Sequence, residues 1–216
     1  MAISETGNDP AIWICRHGNR IDFVDSSWKG TDPHLSADGI VQAKETGIRL
    51  RNEGIRHIFA SPFLRAVETA HYIAEALDLT VNIEHGACEW LNPDWFTQTP
   101  SYIPLDELRK RFQRVDDTYE STVCAEFPES QEEANARFRK SVLLLADTYN
   151  STSFLVVGHG ATLIGMTKGL IGDDCDVSWG LCALVKVSRV SGRAVLQLNG
   201  DVSHLSGGKK CQDRLI

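Results

Sequence analysis

Residues 11–18 read A-I-W-I-C-R-H-G, an apolar, partly β-branched run that passes without a break into Arg16, His17 and Gly18. The run is short and apolar on both alternating faces, as expected of a strand covered on two sides in a parallel sheet. Residues 154–160, F-L-V-V-G-H-G, repeat the arrangement, with a histidine directly after a buried strand. A third run, R-H-I-F-A at 56–60, leads through Ser61 and Pro62 toward a helix. Helical periods fill the intervals. Ser36 can cap a helix on Ile40, Ala43, Gly47 and Leu50 that Gly54 ends. Pro62 opens a second, with Leu64, Val67, Ala70, Ala74 and Leu77 on one face. A long amphipathic pattern covers Gln131 to Tyr149, and Ala161 to Ile171 is a further helix after the 154–157 strand.

Val81 to Glu84 is a further short strand. Leu181 to Ser188 and Ala194 to Leu198 form a closing hairpin that turns at Ser191-Gly192. Alternation of this kind predicts an α/β fold, a three-layer sandwich around a mainly parallel sheet. Residues from about 86 to 130 break the rhythm with Trp90, Trp95, Phe96, Tyr102, several prolines and one short helix near Leu105 to Phe112. They read as an insertion over the active-site face of one domain spanning 1–216.

At 216 residues, 42% hydrophobic and 24% charged, the chain has ordinary globular composition, which excludes disordered, collagenous and disulfide-scaffold classes. A net charge of -7 repels polyphosphate strands and acidic lipid, so neither nucleic acid nor membrane is expected as partner. Met1 to Pro10 carries Glu5 and Asp9 and no apolar leader, and apolar runs fall far short of the roughly 20 residues of a membrane span. A soluble, cytoplasmic protein is expected. The six cysteines, at 15, 88, 124, 175, 182 and 211, have no zinc-like spacing and read as reduced thiols. With no H-x-x-x-H or similar ligand pattern, neither a metal nor any other cofactor is expected.

In open α/β sheets ligands collect beyond the carboxyl ends of the strands. Three strand ends there offer Arg16, His17, Arg65 and His159, with Arg20 close behind the first and Gly160 allowing close backbone approach. Arg65, in the first turn of a helix, adds a guanidinium to an end that already favours anions. Guanidinium forks match phosphoryl oxygens, and a neutral imidazole can attack phosphorus to form a phosphohistidine. The leaving oxygen then needs a proton, for which Glu89 is the leading carboxylic acid. His34, His57, His71, His85 and His204 read as packing or loop residues.

Five motifs in this order extend the pattern over nearly the whole chain: R-H-G at 16–18, L-S-A-D-G-I-V-Q-A at 35–43, S-P-F-L-R-A-V-E-T-A at 61–70, G-A-C-E-W at 86–90 and G-H-G-A-T-L at 158–163. Together they resemble the histidine phosphatase, or phosphoglycerate mutase-like, superfamily. R-H-G-N-R-I-D and I-P-L-D-E-L look most like the phosphatase domain of the suppressor of T-cell receptor signalling proteins. The resemblance implies a phosphoglycerate mutase-like fold and a metal-independent phosphatase. It also implies His17 as the phosphorylated nucleophile, Arg16, Arg20, Arg65, His159 and Gly160 around phosphate, and Glu89 as acid. Asn19 stands where many members have Glu, and Phe23 where the glycolytic mutases have Asn, which favours a phosphatase over a mutase. The alternatives are a mutase, a phosphate-binding module without turnover, and a metal-dependent hydrolase. The expected partner is a small phosphorylated substrate or a phosphotyrosine-type ester, and a homodimer is left open. Trp90, Trp95, Phe96 and Tyr102 read first as the insertion's own small core, with an aromatic wall for a bulky substrate as the alternative; Trp28, Trp95, Phe96 and Tyr102 tilt the substrate slightly toward an aromatic or apolar ester.

Overall fold

The computed structural model describes residues 10–190 and 193–207. In chain order the elements are β1 (Ala11–Arg16), α1 (Ile21–Val24), α2 (Ala37–Leu50), β2 (Ile55–Ala60), α3 (Leu64–Leu77), β3 (Val81–Ile83) and a 3-10 turn (His85–Ala87). They continue with α4 (Leu105–Arg111), α5 (Gln131–Thr148), β4 (Ser153–Gly158), α6 (Gly160–Ile171), β5 (Leu184–Val190) and β6 (Arg193–Asp201).

The strands form one sheet in the order β3-β2-β4-β1-β5-β6. The first four are mutually parallel, and β5 and β6 are antiparallel additions at one edge. All six residues of β1 are buried, as its unbroken apolar run requires. The alternation of side chains then sorts them between two helical layers. Ile12 and Ile14 join Phe154 and Val156 against Phe138, Val142 and Leu145 of α5 and Leu163 and Met166 of α6. Trp13 and Cys15 face Leu50 of α2 and Ala66, Ala70 and Ile73 of α3. The result is the three-layer α/β sandwich expected from the sequence.

Several boundaries shift for local reasons. α2 stops at Leu50, and Gly54, at φ 68°, makes the turn into β2 instead of capping the helix. α3 starts at Leu64 with Phe63 as its cap, so Pro62 precedes the helix. β5 starts at Leu184 because Cys182 has φ 51° and donates its N–H to the His17 carbonyl. The Ser191-Gly192 turn, most of the Met1 to Pro10 segment and Cys211 lie outside the described residues. Between β3 and α5, Val115 bridges Val81 at the sheet edge, and Leu108, Phe112 and Val115 pack against Val67 of α3. Among the described residues no helix is long and apolar enough to cross a membrane.

Candidate active site

β1 and β4 are parallel neighbours whose register sets Arg16 opposite Gly158. The residues that follow, His17 and His159, therefore leave the sheet side by side, with ring centroids 5.3 Å apart. The His17 N–H donates to the Gly158 carbonyl at 2.9 Å, and both imidazoles are buried. His17 Nδ1 lies 2.8 Å from the Gly18 carbonyl oxygen. A carbonyl can only accept, so Nδ1 carries the proton and Nε2 keeps its lone pair. Burial above all, then the Arg65 and Arg16 guanidiniums, hold His17 well below the usual histidine pKa and keep the ring neutral. Burial, then the Arg65 charge and the neighbouring His17 and Arg16, lower His159 as well.

His159 Nε2 shares a 2.7 Å hydrogen bond with Ser61 Oγ, and Nδ1 lies 3.3 Å from Glu89 Oε2 without hydrogen-bond alignment. His159 is also the N-cap of α6 and its side chain does not cap the helix, nor does any other side chain among the described residues accept from its first N–H groups. Its first N–H groups, beginning near Gly160, are thus available to an anion. The loop after β1 is pressed against α2. A Cβ on Gly18 would stand 2.7 Å from the Gly39 carbonyl oxygen, and one on Gly39 only 2.1 Å from that of Asn19.

Arg16 donates to the Trp179 carbonyl at 3.0 Å, and its guanidinium lies 5.2 Å from the Trp179 ring centroid. Burial brings its pKa down to about 10, which leaves it charged at neutral pH. Arg65 is buried in the first turn of α3, 3.6 Å from Asp32 Oδ1, 3.7 Å from Glu89 Oε2 and above the Phe63 ring. It does not pair with Glu68, whose carboxylate accepts the Leu35 N–H, nor with Glu75, which pairs with His71. Arg20 forks onto Asp22 and lies over Phe23.

The anion end expected at α3 is already filled. Phe63 offers no side-chain cap, and the Asp32 carboxylate accepts the Leu64 N–H at 2.9 and 3.1 Å. The open helix start is that of α6.

Glu89 follows the 3-10 turn with 16% of its side chain exposed, and Oε1 accepts the Trp90 N–H at 3.1 Å. Burial raises its carboxyl above the ordinary value, and the Arg65 charge is the strongest opposing influence. A carboxyl held toward its protonated form beside guanidiniums and a neutral imidazole can donate a proton to a departing oxygen.

Arg16, His17, Arg20, Arg65, Glu89 and Gly160 open onto a cavity of about 730 Å³, whereas the fully buried His159 does not line it. Among the described residues its ionisable lining residues are Arg16, His17, Arg20, Arg65 and Glu89, which gather around His17. Its remaining walls are neutral and include Trp90, Trp95, Phe96, Phe138 and Trp179. The aromatics named from sequence divide here. Trp95, 40% exposed, and Phe96 line the cavity. Tyr102 instead packs with Phe63 and Cys88, and Trp28 lies over Gly30, so neither belongs to the wall.

His57 packs on Tyr149, and neither it nor His34, His71, His85 or His204 lines the cavity. Among the described residues, no group of three His, Cys, Asp or Glu side chains could hold a metal ion. Sequence reasoning missed Asp32, Ser61 and Trp179. Ser61 could have been found, since it follows β2, and Ala60 is in register with Val157 beside His159. Asp32 and Trp179 sit in loops without a readable pattern.

Residues 12–201 match the histidine phosphatase superfamily (branch 1), and the chain belongs to that family. It is 35% identical over 152 residues to human ubiquitin-associated and SH3 domain-containing protein A, covering 65% of this chain and 23% of that protein. It is 30% identical over 180 residues to the transcription factor tau 55 kDa subunit of Saccharomyces cerevisiae, covering 76% and 41% respectively. The chain thus spans less than half the length of these relatives. In fold it resembles the ecdysone phosphate phosphatase of Bombyx mori, solved with tungstate, at a TM-score of 0.74 and 21% identity over 87% of this chain and 91% of that one.

Proposed function

We propose that this chain hydrolyses phosphomonoesters through a phosphohistidine on His17. The observation that carries the reading is the Nδ1 contact with the Gly18 carbonyl, which leaves Nε2 as the nucleophilic nitrogen of a ring lining the cavity. Nε2 attacks phosphorus and the bond to the ester oxygen breaks. That oxygen takes its proton from Glu89 and departs as the alcohol. Water then attacks the phosphohistidine, Glu89 takes a proton from it, and inorganic phosphate leaves with His17 restored. Arg16, Arg20 and Arg65 neutralise the phosphoryl oxygens throughout, the start of α6 at Gly160 orients them, and the neutral, buried His159 serves as a hydrogen-bonding group behind the His17 ring.

No step needs a metal, so saturating EDTA should leave the rate intact. Hydrolysis is favoured over a mutase by Phe23, which stands where the glycolytic mutases have Asn. Among the described residues, the cavity wall that carries Trp95 and Phe96 is neutral. The same wall suits a neutral, aromatic or apolar alcohol. Residues 86–130 act as a specificity insertion of a single domain, and the reduced thiols described fit work in the cytoplasm. The test is a phosphatase panel of aryl, steroid-like, amino-acid and sugar-acid esters, run with wild type, His17→Ala and Trp95→Ala. Release of phosphate that depends on His17, with kcat/KM highest for neutral apolar esters, is expected. Phosphoryl transfer within a sugar acid without free phosphate would replace this reading with the mutase.

A further inference from the structure

The segment that carries Glu89 is neither strand nor helix beyond Ala87, so no ladder fixes its position. One side chain of α5 lies beneath it. Arg137 has 5% of its side chain exposed and uses all five of its donors. Nε donates to Glu129 Oε1 at 2.6 Å and Nη2 to Glu129 Oε2 at 2.7 Å. The other three donors go to backbone carbonyls: Nη1 to Gly86 at 3.0 Å and Cys88 at 3.1 Å, and Nη2 to Glu89 itself at 3.1 Å.

Glu129 closes the segment from its other end. Its Oε2 accepts the Leu91 N–H at 3.2 Å, its own N–H donates to the Leu91 carbonyl at 3.0 Å, and its carbonyl accepts Trp90 Nε1 at 3.0 Å. Neither Glu129 nor Arg137 lines the cavity. A buried ion pair adds little net stability over apolar packing of the same shape, so stability alone is a weak reason for one here.

We infer that the Glu129–Arg137 pair is a positioning device that holds the Glu89 carboxyl where the leaving oxygen emerges, controlling proton donation without touching substrate. The inference rests on the hydrolysis through His17 and Glu89 proposed above. Its consequence is a selectivity. A basic alkoxide needs the proton, whereas 2,4-dinitrophenolate is stable enough to leave without it. Losing the pair therefore slows alkyl esters and spares activated aryl esters, while general damage to the fold slows both alike.

The experiment measures first-turnover cleavage by rapid quench with benzyl phosphate and with 2,4-dinitrophenyl phosphate. The first turnover reads bond breaking apart from hydrolysis of the phosphoenzyme. Glu89→Gln is the reference and Arg137→Met the test. Arg137→Lys and Glu129→Gln serve as milder variants should the methionine fail to fold by circular dichroism. A displacement of the acid by about an ångström should cost Arg137→Met about 100-fold on benzyl phosphate. The dinitrophenyl ester should change little, and the milder variants should fall between wild type and methionine. Equal losses on both esters, or a folded variant with no loss on benzyl phosphate, would overturn the inference. If Glu89→Gln shows the selectivity and the pair variants do not, the clamp alone fails. If Glu89→Gln lacks it, or His17→Ala still turns over, the reading of the site fails and the clamp with it.

Discussion

The two halves of the candidate site are built differently. His17, His159 and Arg16 stand at the ends of two adjacent parallel strands, and the backbone hydrogen bonds of the sheet bring them together. Glu89 sits on an irregular segment held by side chains, chiefly Arg137 and Glu129 beneath it and Thr162, whose hydroxyl donates to the Ala87 carbonyl at 3.0 Å. On the proposed mechanism the nucleophile comes from the sheet, where position follows from register, and the acid from a loop, where position must be supplied by a buried polar network. Damage to the first half should be indifferent to the leaving group. Damage to the second should not.

The largest expected effect lies in the strand-end half. His17→Ala removes the nitrogen proposed to attack phosphorus and should lower kcat by roughly 10⁴-fold or more on every ester, by analogy with other covalent catalysts. Phosphate-release assays with alkyl and activated aryl esters would show it, and a loss confined to one ester would break the comparison. Next comes Glu89→Gln, expected to cost about 10²- to 10⁴-fold on alkyl esters and far less on 2,4-dinitrophenyl phosphate. Its pH dependence sharpens the contrast. Burial raises the Glu89 carboxyl, so the acid form persists to higher pH than an ordinary carboxylate, and alkyl-ester turnover declines as pH climbs through that raised value. In Glu89→Gln this descending limb should vanish.

Gly39→Ala probes the strand-end half without touching a catalytic group. Its new methyl meets the Asn19 carbonyl at 2.1 Å and must push the loop behind His17, costing about 1–3 kcal/mol of stability. Thermal denaturation should show a lower Tm, and residual activity should fall equally on both esters. A selective fall on alkyl esters would contradict the division.

The smallest effect concerns stability and pH. His17 and His159 have pKa values depressed below the unfolded value, so the unfolded chain binds more protons as pH drops. Their contribution is fully present above the ordinary histidine range near pH 6.5 and is lost as pH falls below it. Melting curves from pH 7.5 to 5 should show a Tm decline that is shallower in His17→Asn.

The same contrast decides how much was legible in the sequence. The apolar runs ending at Arg16 and Gly158 announce buried parallel strands, and one register step makes His17 and His159 neighbours. Arg65 was legible as a helix-start cation, but its environment was not. Asp32, more than thirty residues upstream, both caps α3 and pairs with Arg65, a long-range contact with no local signature. The network under Glu89 was illegible for the same reason, since Arg137 occupies a helical position whose period says only that it faces inward. The aromatic content of the insertion was legible as composition. Its division into a wall at Trp95 and Phe96 and a packed core at Tyr102 depends on packing alone.

The most direct test of the whole account is to quench the enzyme with acid-sparing denaturant during turnover of a ³²P-labelled ester and map the label by peptide mass spectrometry. The account predicts acid-labile phosphate on His17, formed within the first turnover, absent from His17→Ala and accumulating in Glu89→Gln with an activated ester. Label on another residue, or rapid turnover with none at any time, would contradict it.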